Sequence, residues 1–140
     1  LITNRLAEKA LDLFDEMTIE PDDVTLVVLL NACVKTGNER AIKGKSGLVD
    51  QAFNVFKSVS NPKIITYTSM VNAFGLNGMD AEAIDLYRQI PTDERNEVSH
   101  ICTSNACSHS ALLHETQTIF NDIDSKTETI VTIMAFLFQQ

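Results

Sequence analysis

Residues 83–87 read AIDLY, and three other stretches repeat this pattern: ALDLF at residues 10–14, AFNVF at 52–56 and the more divergent TQTIF at 116–120. The four copies begin at residues 10, 52, 83 and 116, so successive starts are 42, 31 and 33 residues apart. Repeats with periods of about 20 to 50 residues are typical of stacked supersecondary units, because no single unit buries its apolar face alone. The sequence therefore predicts a solenoid.

The spacing of apolar residues within the units predicts helical hairpins. In residues 64–90, two stripes each have apolar residues at i, i+3, i+4 and i+7. Gly78 favours the left-handed conformation that ends a helix, and Asp80 is placed to cap the next one. The stripes consist of Tyr67, Met70, Val71 and Phe74, and of Ala83, Leu86, Tyr87 and Ile90. We predict an all-α fold, an α-solenoid of stacked antiparallel helix-turn-helix repeats, with about three units and partial repeats at both ends.

Turn signals divide this single helical-repeat domain, residues 1–140, into five parts. We predict a partial repeat at 1–22, an irregular compressed repeat region at 23–63, the clearest repeat at 64–96, another repeat at 97–124 and a second partial repeat at 125–140. Only residues 38–45 separate Thr36-Gly37 from Ser46-Gly47, so either a repeat has collapsed to a single turn here or sequence has been lost. We expect the first helix of this region to run from Val24 to about Lys35 and to end at residues 36–38.

The composition is that of an ordinary globular chain, which we expect to be soluble. Of 140 residues, 44% are hydrophobic and 21% charged, and no apolar run approaches the roughly 18 residues of a membrane span. No targeting segment is visible in this sequence, which begins at Leu1. Three cysteines suggest reduced thiols rather than disulfides, with Cys33 and Cys107 in small buried helix positions, each after an Asn-Ala pair, and Cys102 partly exposed.

The formal net charge of −8 is unevenly distributed along the chain. Between residues 35 and 63, six lysines and arginines face two acidic residues, which gives +4 there and −12 elsewhere. Such asymmetry favours a local patch for an anionic partner, although a solvated helix face explains it equally well.

No residue pattern for catalysis or for a metal or cofactor site is found in the sequence. Cys107, His109 and His114 lack the second ligand cluster that a zinc site needs. Residues 44–47 read GKSG, but the leading glycine and the preceding strand of a phosphate-binding loop are missing. We therefore expect no enzymatic activity, no metal and no cofactor.

Several segments resemble the pentatricopeptide repeat family in detail. Residues 64–74 read IITYTSMVNAF and residues 77–87 read NGMDAEAIDLY, and together they resemble one such repeat almost throughout. Residues 96–99 with 105–110 look like a neighbouring repeat, and residues 21–25 with 30–33 look like another. The mixture of repeat lengths is similar to the long and short repeat type, of which this chain looks like a partial or degenerate member. The cytidine-deaminase signatures that end some of those proteins, His-x-Glu and Pro-Cys-x-x-Cys, are not present.

The resemblance implies binding of single-stranded RNA in mitochondria or plastids, in organellar RNA processing, stability or editing, with one nucleotide per repeat. It implies that Thr68 and Asn96 read one base, with a preference for adenine, and that Ile65 wedges against that base. Lys35 and Lys45 match a position that contacts phosphate, and Arg40 and Lys43 lie near them in the basic segment.

The flanking units are expected to contribute little base reading. Their residues equivalent to Thr68 are Val27 and Ile101, which have no hydrogen-bonding side chain, while Thr132 has no partner in its unit. With few repeats and few cations, we expect weak and salt-dependent RNA binding.

A non-catalytic helical-repeat scaffold for protein partners is the alternative function. The acidic charge and the missing base readers favour it, and outward-pointing basic residues at 35–45 would favour it further. We also expect self-association through the C-terminal helix, because five apolar residues would be left exposed there: Ile130, Ile133, Phe136, Leu137 and Phe138.

Overall fold

The fold is all-α, as predicted. The computed structural model describes residues 9–10, 12–13, 16–41, 47–108 and 113–139, and all of their side chains except those of 33–41, 47–48 and 113. The described residues form seven helices and no strand. The helices are α1 (Asp23–Ala41), α2 (Gly47–Ser58), α3 (Ile64–Leu76), α4 (Asp80–Gln89), α5 (Glu97–Ser108), α6 (Leu113–Asp122) and α7 (Glu128–Phe138).

The helices form two layers of a solenoid. The first helices of successive hairpins, α1, α3, α5 and α7, pack side by side in that order. The second helices lie on the other side of this row: α2 packs on α1 and α3, α4 packs on α3 and α5, and α6 packs on α5. Each first helix therefore buries one side against the second helices and leaves the opposite side open along the length of the solenoid.

The main apolar core lies between the two layers and extends from α1 to α6. Phe74 of α3 is 1% exposed and is the largest fully buried side chain among those that the structure describes. Its ring meets that of Phe53 from α2 edge-on, with the ring centroids 5.1 Å apart. A second, smaller cluster of Ile123, Ile130, Met134 and Leu137 joins α7 to the rest.

Small residues allow the two central first helices to approach closely. A Cβ atom built on Gly75 of α3 would lie 2.7 Å from the Cβ of Ala106 in α5 and 3.1 Å from its Cα. Contacts this short do not occur between real Cβ atoms, so only glycine fits here at the present separation of α3 and α5.

Gly78 ends α3 as the sequence predicts, with φ of 72°. The Met79 N–H donates to the Phe74 carbonyl at 2.9 Å and the Gly78 N–H donates to the Gly75 carbonyl at 3.2 Å, which is the Schellman arrangement. The predicted cap at Asp80 is wrong. Met79 occupies the N-cap position without a side-chain cap bond, and Asp80 lies inside the first turn, 7% exposed, with its Oδ1 atom lacking a hydrogen-bond partner.

The predicted end of the first helix at residues 36–38 is also wrong, because α1 continues to Ala41. An interior glycine costs a helix about 1 kcal/mol relative to alanine, a penalty that a 19-residue helix tolerates. Gly37 therefore acts as a helical residue rather than as a stop.

The C-terminal helix is less exposed than the sequence suggests. Ile130 and Leu137 are buried in the second cluster, where Ile101 of α5 and Ile133 also pack. Phe136 and Phe138 remain exposed, at 63% and 39%. The five apolar residues thus divide between two sides of α7, because its helical periodicity turns only some of them toward α5.

None of the described helices is long and apolar enough to span a bilayer.

Acidic residues at the start of one first helix bind the start of the next one. The Asp23 carboxylate accepts hydrogen bonds from the Thr66 hydroxyl at 2.7 Å and from the Lys63 N–H at 3.2 Å. A similar bond joins the starts of α5 and α7, two repeats further along, where the Thr127 hydroxyl donates to the Glu97 carboxylate. These bonds hold the pKa of Asp23 below its ordinary value of 3.8.

Asp23→Ala is expected to destabilise the fold more at neutral pH than in acid. Because the pKa of Asp23 is lower in the folded chain, the unfolded chain takes up the proton first as the pH falls. The contribution is therefore present above about pH 5 and is lost progressively as the pH falls below the ordinary value. Urea unfolding of the wild type and the variant at neutral pH and near pH 3 measures their difference in free energy of unfolding, which should be smaller in acid. The prediction is contradicted if the difference in free energy of unfolding is the same at both pH values. It is also contradicted if the exposed Asp85→Ala control shows the same decrease in acid.

Candidate nucleic-acid interface

The open side of three of the four described first helices presents an apolar residue at the same register, which in α7 is Thr129. Val24, Ile65 and Val98 are the second residues of α1, α3 and α5, and they are 71%, 55% and 57% exposed. We call these three residues the apolar row. Because α1, α3 and α5 pack side by side, the apolar row runs along the solenoid from one repeat to the next.

The fifth, sixth and ninth residues of each helix lie on the same side as the second, since an α-helix turns once in 3.6 residues. None of these positions in α1, α3 or α5 carries a charged residue. They hold Val27, Val28 and Asn31 in α1; Thr68, Ser69 and Asn72 in α3; and Ile101, Cys102 and Asn105 in α5. In a chain with a net charge of −8, this neutral strip offers no acidic group to repel a polyanion.

Thr68 lies at the edge of this strip and is only 6% exposed. Its hydroxyl donates to the carbonyls of its own helix, at 3.0 Å from Ile64 O and 2.9 Å from Ile65 O. The proton is therefore engaged, and what the hydroxyl oxygen retains for a ligand is acceptor capacity.

Asn96 is exposed at the start of α5 and caps that helix. Its Oδ1 atom accepts from the Ser99 N–H at 2.9 Å, and the Ser99 hydroxyl donates to the Asn96 carbonyl at 2.7 Å. Because capping uses the amide oxygen, the Nδ2 group remains as a donor. Thr68 and Asn96 are not hydrogen-bonded to each other; each is bonded within its own helix start.

A cavity of about 350 Å³ lies beside Asn96, between α4, α5 and the segment before α7. The Tyr87 hydroxyl is 2.8 Å from His100 Nδ1, and the Arg95 guanidinium lies 4.7 Å from the centre of the Tyr87 ring. Burial, followed by the charge of Arg95, lowers the pKa of His100. Sequence reasoning did not anticipate this cluster, since nothing in the spacing of Tyr87 and His100 shows that two consecutive helices bring them together.

The equivalents of Thr68 in other repeats offer less to a base. Val27 and Ile101 are apolar and half-buried. Thr132 of α7 is exposed, and its hydroxyl donates to the Glu128 carbonyl at 2.8 Å. Among the described repeats, only the pair Thr68 and Asn96 has hydrogen-bonding side chains at both positions that the resemblance singles out.

The four candidate phosphate contacts lie outside the described side chains. Lys35 and Arg40 belong to α1 by their backbone, whereas Lys43 and Lys45 fall in residues 42–46, outside the described backbone as well. Of the other two cations in the basic segment, Lys57 lies over the Phe53 ring at 5.0 Å and Lys63 pairs with Asp23 at 3.7 Å. Within the described residues, no group of three or more His, Cys, Asp or Glu is arranged to hold a metal ion.

The two-layer stack of hairpins with a repeated exposed row defines a helical-repeat protein. A family model described as "PPR repeat" matches residues 2–20 and 65–93, and the second match covers most of α3 and α4.

Curated relatives from Arabidopsis thaliana extend this match. Pentatricopeptide repeat-containing protein At1g33350 is 28% identical over 139 residues, which covers 78% of this chain and 26% of that protein. Pentatricopeptide repeat-containing protein At3g04750, mitochondrial, is 27% identical over 146 residues, which covers 82% of this chain and 22% of that protein. The chain spans about a quarter of the length of these relatives. The repeat matches and these relatives together indicate a pentatricopeptide repeat protein.

Proposed function

We propose that this chain binds single-stranded RNA along the open side of its first helices and acts in organellar RNA processing, stability or editing. The observation that supports this proposal is the apolar row, in which Val24, Ile65 and Val98 stand exposed at one register of three adjacent helices. Large apolar residues at such regular and solvent-exposed positions contribute nothing to the core. They fit the flat faces of successive bases, a contact that tolerates any sequence.

Base identity is read between α3 and α5 by Thr68 and Asn96. Thr68 offers an acceptor and Asn96 offers an N–H donor, because their other groups are already bonded within the protein. The Watson–Crick edge of adenine carries the complementary pair, an amino donor and a ring-nitrogen acceptor, and so does that of cytosine. On the same edge, uracil and guanine carry a carbonyl acceptor and a ring N–H donor, which is the reverse arrangement. The pair therefore supports adenine over uracil and guanine, in agreement with the preference implied by the family.

The expected affinity is modest. The described part of the binding strip is uncharged and spans three repeats, so it releases few counterions. Salt dependence would then come from Lys35, Arg40, Lys43 and Lys45, and substituting them should flatten it. We expect dissociation constants of about a micromolar or weaker.

Fluorescence anisotropy with short homopolymer RNAs tests the proposal. We expect oligoadenylate to bind more tightly than oligouridylate, and Thr68→Val to weaken oligoadenylate binding about fivefold, as expected for one net hydrogen bond. Valine keeps the buried volume but removes the hydroxyl. Thr118→Val is the matched control, because the Thr118 hydroxyl makes the same bond to its own helix, to His114 O at 3.0 Å, on the exposed surface of α6. Failure to bind any homopolymer while circular dichroism shows a helical fold would overturn the proposal.

A scaffold for protein partners is the second candidate, because apolar residues are also exposed at both ends of the described solenoid. Leu13, Met17 and Val28 line an apolar cavity of about 260 Å³ beside α1. Phe136 and Phe138 are exposed on α7, where self-association of the chain is also proposed. A folded chain that binds no RNA would favour this function.

A further inference from the structure

Three asparagines occupy equivalent positions on the open side of the solenoid. Asn31, Asn72 and Asn105 are the ninth residues of α1, α3 and α5, and each is followed in sequence by an alanine. Asn31 and Asn105 are exposed and Asn72 is half-buried. The ninth residue lies one helical turn, about 6 Å, beyond the fifth and on the same side of the helix. The row of amides therefore runs parallel to the apolar row.

The three amides have no hydrogen-bond partner among the described residues, and the same is true of the exposed Asn54 of α2, whereas the side chains of Asn77, Asn96 and Asn121 are bonded. Asn77 Nδ2 donates to the Ala73 carbonyl at 2.7 Å, Asn96 caps α5, and Asn121 accepts from Gln117 at 3.1 Å. Asparagine is a poor helix former, and its side chain competes with the backbone for hydrogen bonds. An unpartnered asparagine at the same register of three neighbouring first helices is thus unfavourable for the helices themselves.

The surroundings of the amides indicate the kind of ligand. Asn72 and Asn105 both line a small open cleft between α3 and α5, together with Gly75, Ala106 and Cys102. The cleft and the strip around it are uncharged. A phosphate would be poorly compensated there, whereas a neutral group that both donates and accepts hydrogen bonds matches an amide.

We propose that Asn31, Asn72 and Asn105 bind the ribose 2′-hydroxyls of the RNA strand, one per repeat. This inference rests on the proposed RNA-binding function and adds the feature of RNA that the strip selects. The 2′-hydroxyl is both a donor and an acceptor, and it is the group that distinguishes RNA from DNA. With bases on the apolar row and sugars on the amides, each first helix holds one nucleotide at two points.

The test compares oligoadenylate with its 2′-deoxy counterpart for the wild type, the three single Asn→Ala variants and the triple variant. We expect the wild type to prefer RNA, and each substitution to weaken RNA binding about fivefold while leaving DNA binding unchanged. The salt dependence of RNA binding should stay the same, since no phosphate contact is removed. Asn54→Ala, on the exposed surface of α2, is the matched control and should change neither affinity.

The outcomes separate this inference from the proposed function. Alanine is a better helix former than asparagine, so the variants should remain folded, which thermal unfolding verifies. If the variants lose affinity for RNA and DNA equally, the assignment of the 2′-hydroxyl is overturned while RNA binding itself stands. The same holds if the triple variant binds RNA as tightly as the wild type. A wild type that binds neither strand overturns both proposals.

Discussion

Phe74→Ala is expected to lower the free energy of unfolding by about 3 to 5 kcal/mol, the range observed for removal of a buried phenylalanine. The ring is 1% exposed and meets Phe53 edge-on at 5.1 Å, so its loss removes apolar burial and an aromatic contact between α2 and α3. The neighbouring helices are held by other contacts and will close the resulting cavity only in part. Urea unfolding followed by circular dichroism measures the change.

The matched control is Phe136→Ala on α7. This phenylalanine is also in a helix but is 63% exposed, so its removal should change the stability by less than about 1 kcal/mol. Similar losses for both variants would show that Phe74 is not the centre of the core.

Gly75→Leu is expected to lower the free energy of unfolding by about 2 kcal/mol. Overpacking costs about 1 to 3 kcal/mol, and the upper part of that range applies because the first added atom would already lie 2.7 Å from Ala106 Cβ and 3.1 Å from its Cα. Both atoms are tied to the backbone of α5, so α3 and α5 have to separate. The higher helix propensity of leucine returns about 0.8 kcal/mol, which is too little to offset the clash.

Ala81→Leu, at an exposed position of α4, serves as the control for an added leucine in a helix and should be close to neutral. A Gly75→Leu variant that unfolds at the wild-type urea concentration would show that the two helices accommodate the side chain. Gly75 and Ala106 also line the cleft to which Asn72 and Asn105 contribute. We therefore expect the same substitution to weaken RNA binding by moving these amides apart.

The architecture and the candidate site depend on the same packing. The second and ninth positions of α1, α3 and α5 form continuous rows because these helices lie side by side, and Gly75 and Ala106 set the separation of two of them. The bonds of Asp23 to Lys63 and Thr66 align the starts of α1 and α3. Under the proposed function, residues that position the helices thus determine whether successive nucleotides meet their contacts at the same register.

The sequence determined the repeat, the helical hairpins and the end of α3 at Gly78. These features are encoded locally: apolar residues at helical spacing define the buried side of each helix, and glycine alone adopts a positive φ at little cost. The same local signals failed at Gly37 and at Asp80. A glycine inside a long helix is only a modest penalty, and an aspartate near a helix start caps it only when its backbone stands just outside the first turn.

The sequence also indicated Ile65, Thr68 and Asn96 as candidate site residues, through family resemblance, but not which of their groups are available. Only the tertiary structure decided that the Thr68 proton and the Asn96 oxygen are engaged, that Ile130 and Leu137 are buried while Phe136 is not, and that three asparagines share one open surface. The physical reason is that a side chain's exposure and free hydrogen-bonding capacity depend on the neighbouring helices that pack around it. That packing joins residues from different repeats, which local sequence patterns do not specify.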